Sequence, residues 1–205
     1  MIIAPCTLKP ASADAVYQAK VQRVFDGDGF LADVWHPIRQ SWISRIPFRF
    51  AFIDAPEMEQ PFGFESREFL NTLIGGKALR LDPVFKGSTE LPMDSYKRLL
   101  CMGFLTEQLD AGRVEYYHEG KPGNGSIRKE RSVTRNIELE MIVNGFAWVL
   151  KRYAFSCEEE YYGAEDFARQ NRRGLWASAN PEAPWKFKGR QKRRHVAEVS
   201  QDRLI

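Results

Sequence analysis

The sequence predicts an α+β domain, a small five-stranded antiparallel β-barrel carrying three α-helices on one side. Strand-like segments come first and helical ones after, with turn residues punctuating the short strands. A chain of 205 residues, 43% hydrophobic and 28% charged, is also long enough to bury one real core but cramped for two.

Residues 16–24, VYQAKVQRV, roughly alternate apolar and polar, and residues 30–35, FLADVW, are short, aromatic and β-branched. Asp26-Gly27-Asp28-Gly29 joins them. Asp-Gly pairs supply the positive φ angles that tight hairpin loops demand, so the segment reads first as a turn. A metal-binding reading stands beside it, although not of the EF-hand kind: the fifth and twelfth loop positions are Phe30 and Pro37, which offer no ligand. Any cation here must recruit acids from elsewhere in the chain. Residues 44–53, SRIPFRFAFI, form a third strand apolar enough to be buried on much of both faces. Ser66, Phe69, Leu70 and Leu73 repeat at helical spacing within residues 64–73, a helix stopped by Gly75-Gly76. Residues 77–82 and 99–106 complete the five strands. The charged, glycine-rich stretch 112–133 is an exposed excursion without a core signal. Residues 136–144 make a second helix with Ile137, Met141 and Ile142 inward, ended by Gly145. Ser156-Cys157-Glu158-Glu159 has the form of a capping box opening a third helix, which runs to Arg172 and closes at Gly174. Residues 1–14 are then an N-terminal extension, 15–185 the domain and 186–205 a basic tail.

The formal charge of +3 is unevenly placed. Residues 186–205 carry seven Lys and Arg against two acids, leaving a nearly neutral body. Such a tail attracts phosphate backbones by releasing counterions, and a solubilising tail has the same composition. Cys6, Cys101 and Cys157 are odd in number and widely spaced, which reads as plain thiols rather than a disulfide framework or a zinc site. His36, His118 and His195 are equally scattered, so a bound cation is expected to be hard and oxygen-ligated. No apolar run approaches a membrane span, and residues 1–8 lack the basic start of a signal peptide, which makes the cytoplasm the default location and secretion the alternative.

Asp28 lies at the start of one predicted strand and Asp54 at the end of another, so a barrel that brings those ends together makes one oxygen-rich pocket. A structural ion pair of Arg49 and Asp54, with Asp28 a turn former, is the minor alternative. Taken in order, V-x-D-G-D-G, F-R-F-x-F-I-D-A-P-E, G-F-E-S, D-S-Y-K-R, N-I-E-L-E-M-I-V-N-G-F-A-W-V and R-R-G-L-W resemble the staphylococcal nuclease (thermonuclease) family over residues 16–185. The resemblance implies a five-stranded OB-fold barrel with three helices. It implies that Asp28 and Asp54 ligate Ca²⁺ together with the backbone carbonyl of Ala55, that Arg49 and Arg98 grip the scissile phosphate, and that Glu57 holds or deprotonates the attacking water. Tyr96 and Tyr153 match positions that contact the nucleotide. The implied activity is that of a Ca²⁺-dependent nuclease acting on DNA, with RNA a second substrate, and leaving 3′-phosphates; a monomer without membrane association is expected, and the alternative is a catalytically silent nucleic-acid-binding or scaffold module. Three departures stand out: Gly29 where the family has Thr, Lys97 where it has Gly, and Lys151 in place of a nucleotide-contacting Tyr.

Overall fold

The computed structural model describes residues 16–36, 40–85, 93–118, 121–152 and 155–202. β1 (Tyr17–Val24) pairs antiparallel with β2 (Gly29–His36) and with β5 (Ala78–Pro83). β2 pairs antiparallel with β3 (Ser41–Phe50), and β5 with β6 (Leu99–His118). The ring closes through β3 and β6, which run parallel over Phe48–Leu99, Arg49–Leu100 and Phe50–Cys101. The five expected strands are therefore the barrel, but it is mixed rather than wholly antiparallel. Antiparallel hairpins are visible in sequence as local turns; a closure between chain-distant strands leaves no such mark.

Period-two alternation explains the core. Phe30, Phe48 and Phe50 are fully buried and pack ring against ring, with centroids 5.5 Å and 5.3 Å apart. Each contributes about 2–3 kcal/mol of burial. Arg49, between Phe48 and Phe50, is thereby turned to the barrel's outer side. The stretch 112–133 lies in a hairpin arm, since β6 continues far past the barrel and returns antiparallel as β7 (Lys121–Asn136).

α1 (Gly63–Ile74) faces the barrel with Ser66, Leu70 and Ile74. α2 (Ile137–Val143) buries Ile137, Met141 and Ile142 as its spacing predicts, and Glu138 with them. Glu138 accepts bonds from the Phe52 amide at 2.9 Å and the Tyr161 hydroxyl at 2.9 Å, so its charge is solvated by the protein. α3 (Glu158–Gln170) has Cys157 rather than Ser156 at its N-cap position, so it starts without the expected serine cap. Cys157 is disulfide-bonded, against the reading of it as a thiol, while Cys101 is free and buried. Spacing alone could not reveal that bond.

Gly145 and Gly174 meet main chain to main chain. Both have positive φ, and a Cβ on either would stand within 2.3 Å of the other segment's carbonyl oxygen. The Leu175 amide donates to the Gly145 carbonyl at 2.9 Å, clasping the exit of α2 to the 3₁₀ turn Gly174–Ala177 that follows α3. A fourth helix, α4 (Pro184–Asp202), exceeds the expected three and carries most of the basic C-terminal segment.

Candidate active site

β4 (Ile53–Asp54) continues from β3 after a two-residue break and pairs with β8 (Trp148–Val149), which sets Asp54 opposite Trp148. The β1–β2 loop approaches from the other side. Its glycines act differently from expectation, since neither Gly27 nor Gly29 has positive φ. A Cβ on Gly27 would lie 2.5 Å from the Ala55 Cβ and 2.8 Å from the Ser66 Cβ, so this glycine lets the loop press against the Asp54 turn and α1. At Gly29 a Cβ would meet Asp26 Oδ1 at 2.9 Å; the missing threonine leaves room for the Asp26 carboxylate to fold back. There it accepts the Asp28 amide at 3.1 Å.

Close packing brings Asp28 and Asp54 onto one cation. Arg49 Nη2 is 2.7 Å from Asp28 Oδ2 and 2.7 Å from Asp54 Oδ1, and all three side chains are nearly buried. The Ala55 amide adds a bond to Asp28 Oδ2 at 3.3 Å. Desolvation and then the neighbouring Asp28 charge push Asp54 up to about 6, and the same two causes push Asp26 up to about 7. Desolvation works against the Arg49 charge, but Asp28 and Asp54 outweigh it and hold its pKa above the usual value. Three acids crowded this way form a well for positive charge.

Glu57 follows on the turn, its amide bonded to Gln60 Oε1 at 2.9 Å. Lys188 of α4 reaches the same place, with Nζ 2.7 Å from Glu57 Oε1 and 3.1 Å from Asp54 Oδ1. Across a cleft of about 930 Å³, Arg98 is held through Nε by Asp94 at 2.8 Å. Asp94 Oδ1 also accepts the Tyr96 and Arg98 amides at 2.9 Å each, fixing the turn. Lys97 within it has φ of 61°, so a side chain occupies the left-handed position that glycine suits. Tyr96 is 80% exposed, lines the cleft and lies 5.5 Å from the Arg98 guanidinium. Tyr153 lies outside the described residues. Lys151, the third departure, lines the cleft with Arg152 and Arg169 and pairs with buried Glu165 at 3.2 Å.

Arg49, Asp28, Asp54, Ala55 and Glu57 are thus drawn together, with Arg98 and Tyr96 facing them. Sequence reasoning did not place Asp26, Asp94, Gln60 or Lys188 here. Asp26 and Asp94 lie inside the V-x-D-G-D-G and D-S-Y-K-R motifs, whereas Lys188 carries no signal, because nothing in the sequence fixes the phase of α4. Among the described residues no cluster of three or more acid, His or Cys side chains could hold a metal ion. The donor chemistry still fits a hard divalent cation: two carboxylates share a point already taken by a cationic group, with backbone oxygen and water left to complete the shell.

The sequence profile of the staphylococcal nuclease homologue family matches residues 47–178. A micrococcal nuclease of Shigella flexneri is 30% identical over 179 residues, covering 87% of this chain and 83% of the relative. An uncharacterized endonuclease of Haemophilus influenzae is 33% identical over 147 residues, 72% of this chain and 62% of that protein. A staphylococcal-like nuclease of Arabidopsis thaliana is 29% identical over 140 residues, 68% of this chain but 32% of its own length.

Proposed function

Since the chain belongs to the staphylococcal nuclease family, we propose that it is a Ca²⁺-dependent phosphodiesterase that hydrolyses DNA and RNA. The observation that carries this reading is the convergence of Asp28 and Asp54 on a single point, with Arg49 between them and Arg98 across the same cleft.

Asp28, Asp54 and the Ala55 carbonyl are the groups that hold the cation, and when bound it polarises the phosphate and offsets its charge. Arg49 exchanges its carboxylate partners for phosphate oxygens, offering a planar fork that matches them. Arg98 keeps Nε on Asp94, which aims its Nη pair at the opposite side of the phosphate. The two guanidinium groups then face the charge that builds on the equatorial oxygens. Glu57 orients a water and takes its proton as the water oxygen attacks phosphorus in line with the departing 5′ oxygen, leaving a 3′-phosphate. Tyr96 and Tyr153 are assigned to the nucleotide. Backbone contacts carry no base information, so sequence preference is weak. Every described group comes from one chain, and a monomer is the proposed acting unit. Among the described residues no helix is long and apolar enough to cross a membrane.

Plasmid and RNA digestion with Ca²⁺, Mg²⁺ and EGTA in parallel tests the reading: Ca²⁺ supports cleavage of both, and EGTA abolishes it. Cleavage indifferent to chelation sinks the calcium assignment. A second reading, a silent nucleic-acid-binding module, draws on the way Arg49 and Lys188 already satisfy the carboxylates. Tight binding with no cleavage under any metal favours it.

A further inference from the structure

α4 begins beyond the residues matched by the family profile, yet its second turn reaches into the acid cluster. Several contacts fix that reach. Buried Gln60 bonds the Glu57 amide with its Oε1 and donates to the Glu182 carbonyl at 3.1 Å, tying the acid-bearing turn to the entrance of α4. Phe187 is buried beside Lys188, and the Trp185 ring meets Trp148 edge-on at 5.7 Å. Arg190 pairs with Glu182 at 2.7 Å one turn later. Lys188 is therefore placed by a packed helix rather than swept there by a loose tail, and its ammonium bridges Asp54 and Glu57 while its side chain remains 47% exposed.

From this geometry we infer that Lys188 is a tethered competitor of the divalent cation, neutralising Asp54 and Glu57 until the metal displaces it. The inference rests on the metal reading of the site. Asp54 cannot give the same oxygen to an ammonium and to a metal at full strength, and while Lys188 holds Glu57 Oε1 that oxygen is not free to take a water. Partial exposure gives the ammonium a route out along the cleft, toward the phosphate that arrives with substrate. Arg49 cannot play this part alone, because it makes no contact with Glu57 among the described interactions.

Calorimetric titration of the full chain with Ca²⁺ alone, without nucleic acid, tests it. Lys188→Gln binds Ca²⁺ about tenfold tighter than wild type, the usual worth of a partly exposed cation held by two carboxylates. Lys188→Arg stays near wild type. Equal or weaker affinity in Lys188→Gln, with helicity and Tm retained, overturns the inference and leaves the metal reading standing. No Ca²⁺ binding by either protein overturns both. On the unmodified chain, acylation of Lys188 followed by mass spectrometry rises several-fold when Ca²⁺ is added, and unchanged reactivity overturns the inference even if the variant misfolds.

Discussion

Glu138 and Asp54 are buried carboxylates at the same strand break, Glu138 bonding the Phe52 amide within it and Asp54 following it, yet their surroundings differ in kind. Glu138 accepts a backbone amide and a tyrosine hydroxyl, neutral donors fixed by packed elements. Asp54 instead pairs with two cations, Arg49 and Lys188, and shares its space with Asp28. Donors fixed by packed elements hold a charge in one state, whereas exchangeable cations leave it ready for another partner. The difference separates a buried acid that supports the fold from one that is available for chemistry.

Removing a cation from the site gives the largest expected effect. Arg98→Ala loses about a thousandfold in kcat, as removal of a charge-stabilising donor typically does, while Tm barely moves because Arg98 lies at the cleft edge. A near-normal rate would break the catalytic half of the comparison. Glu138→Ala tests the structural half: it strands the buried Phe52 amide and leaves the Tyr161 hydroxyl with Asn136 alone, costing about 2–3 kcal/mol in urea unfolding. A cost below about 1 kcal/mol would erase the distinction.

Asp26→Asn sharpens the contrast through pH. The folded protein raises the Asp26 pKa from 3.8 to about 7, so as pH rises the unfolded chain ionises first and stability drains away between about pH 4 and 7. Asn cannot ionise and keeps the bond to the Asp28 amide. The variant is thus about 1–2 kcal/mol more stable than wild type at pH 8 without divalent cation, and level with it near pH 4. Thermal melts across that range check the sign. The smallest effect is expected at the Arg98 turn, where Lys97→Gly relieves a left-handed side-chain residue and gains about 0.5–1 kcal/mol in the same melts.

Much of this fold was legible because local rules govern it. The five barrel strands and three of the helices follow from period two, period 3.6 and their glycine stops, and they agree with the structure to within a few residues at most ends. What stayed hidden depends on distant parts of the chain meeting. The parallel closure of β3 on β6 has no turn to announce it, and Gly27 looked like a turn former because its close neighbours, Ala55 and Ser66, belong to other segments. In the site, Asp28, Arg49, Asp54 and Glu57 sit in short recognisable motifs, whereas Lys188 is one of seven basic residues in a stretch whose composition says nothing of which one turns inward.

The contact between Gly145 and Gly174 has one further consequence. Trp148 and Trp176, which pack at 4.3 Å, lie three and two residues beyond these glycines, so the aromatic wall beside the site is aligned by an amide–carbonyl junction with no side chain of its own. Such a junction cannot be retuned by gradual change: any added carbon atom forces the two strokes of chain apart. Substitutions that reshape this wall are therefore tolerated on the residues flanking the junction and not at its two glycines.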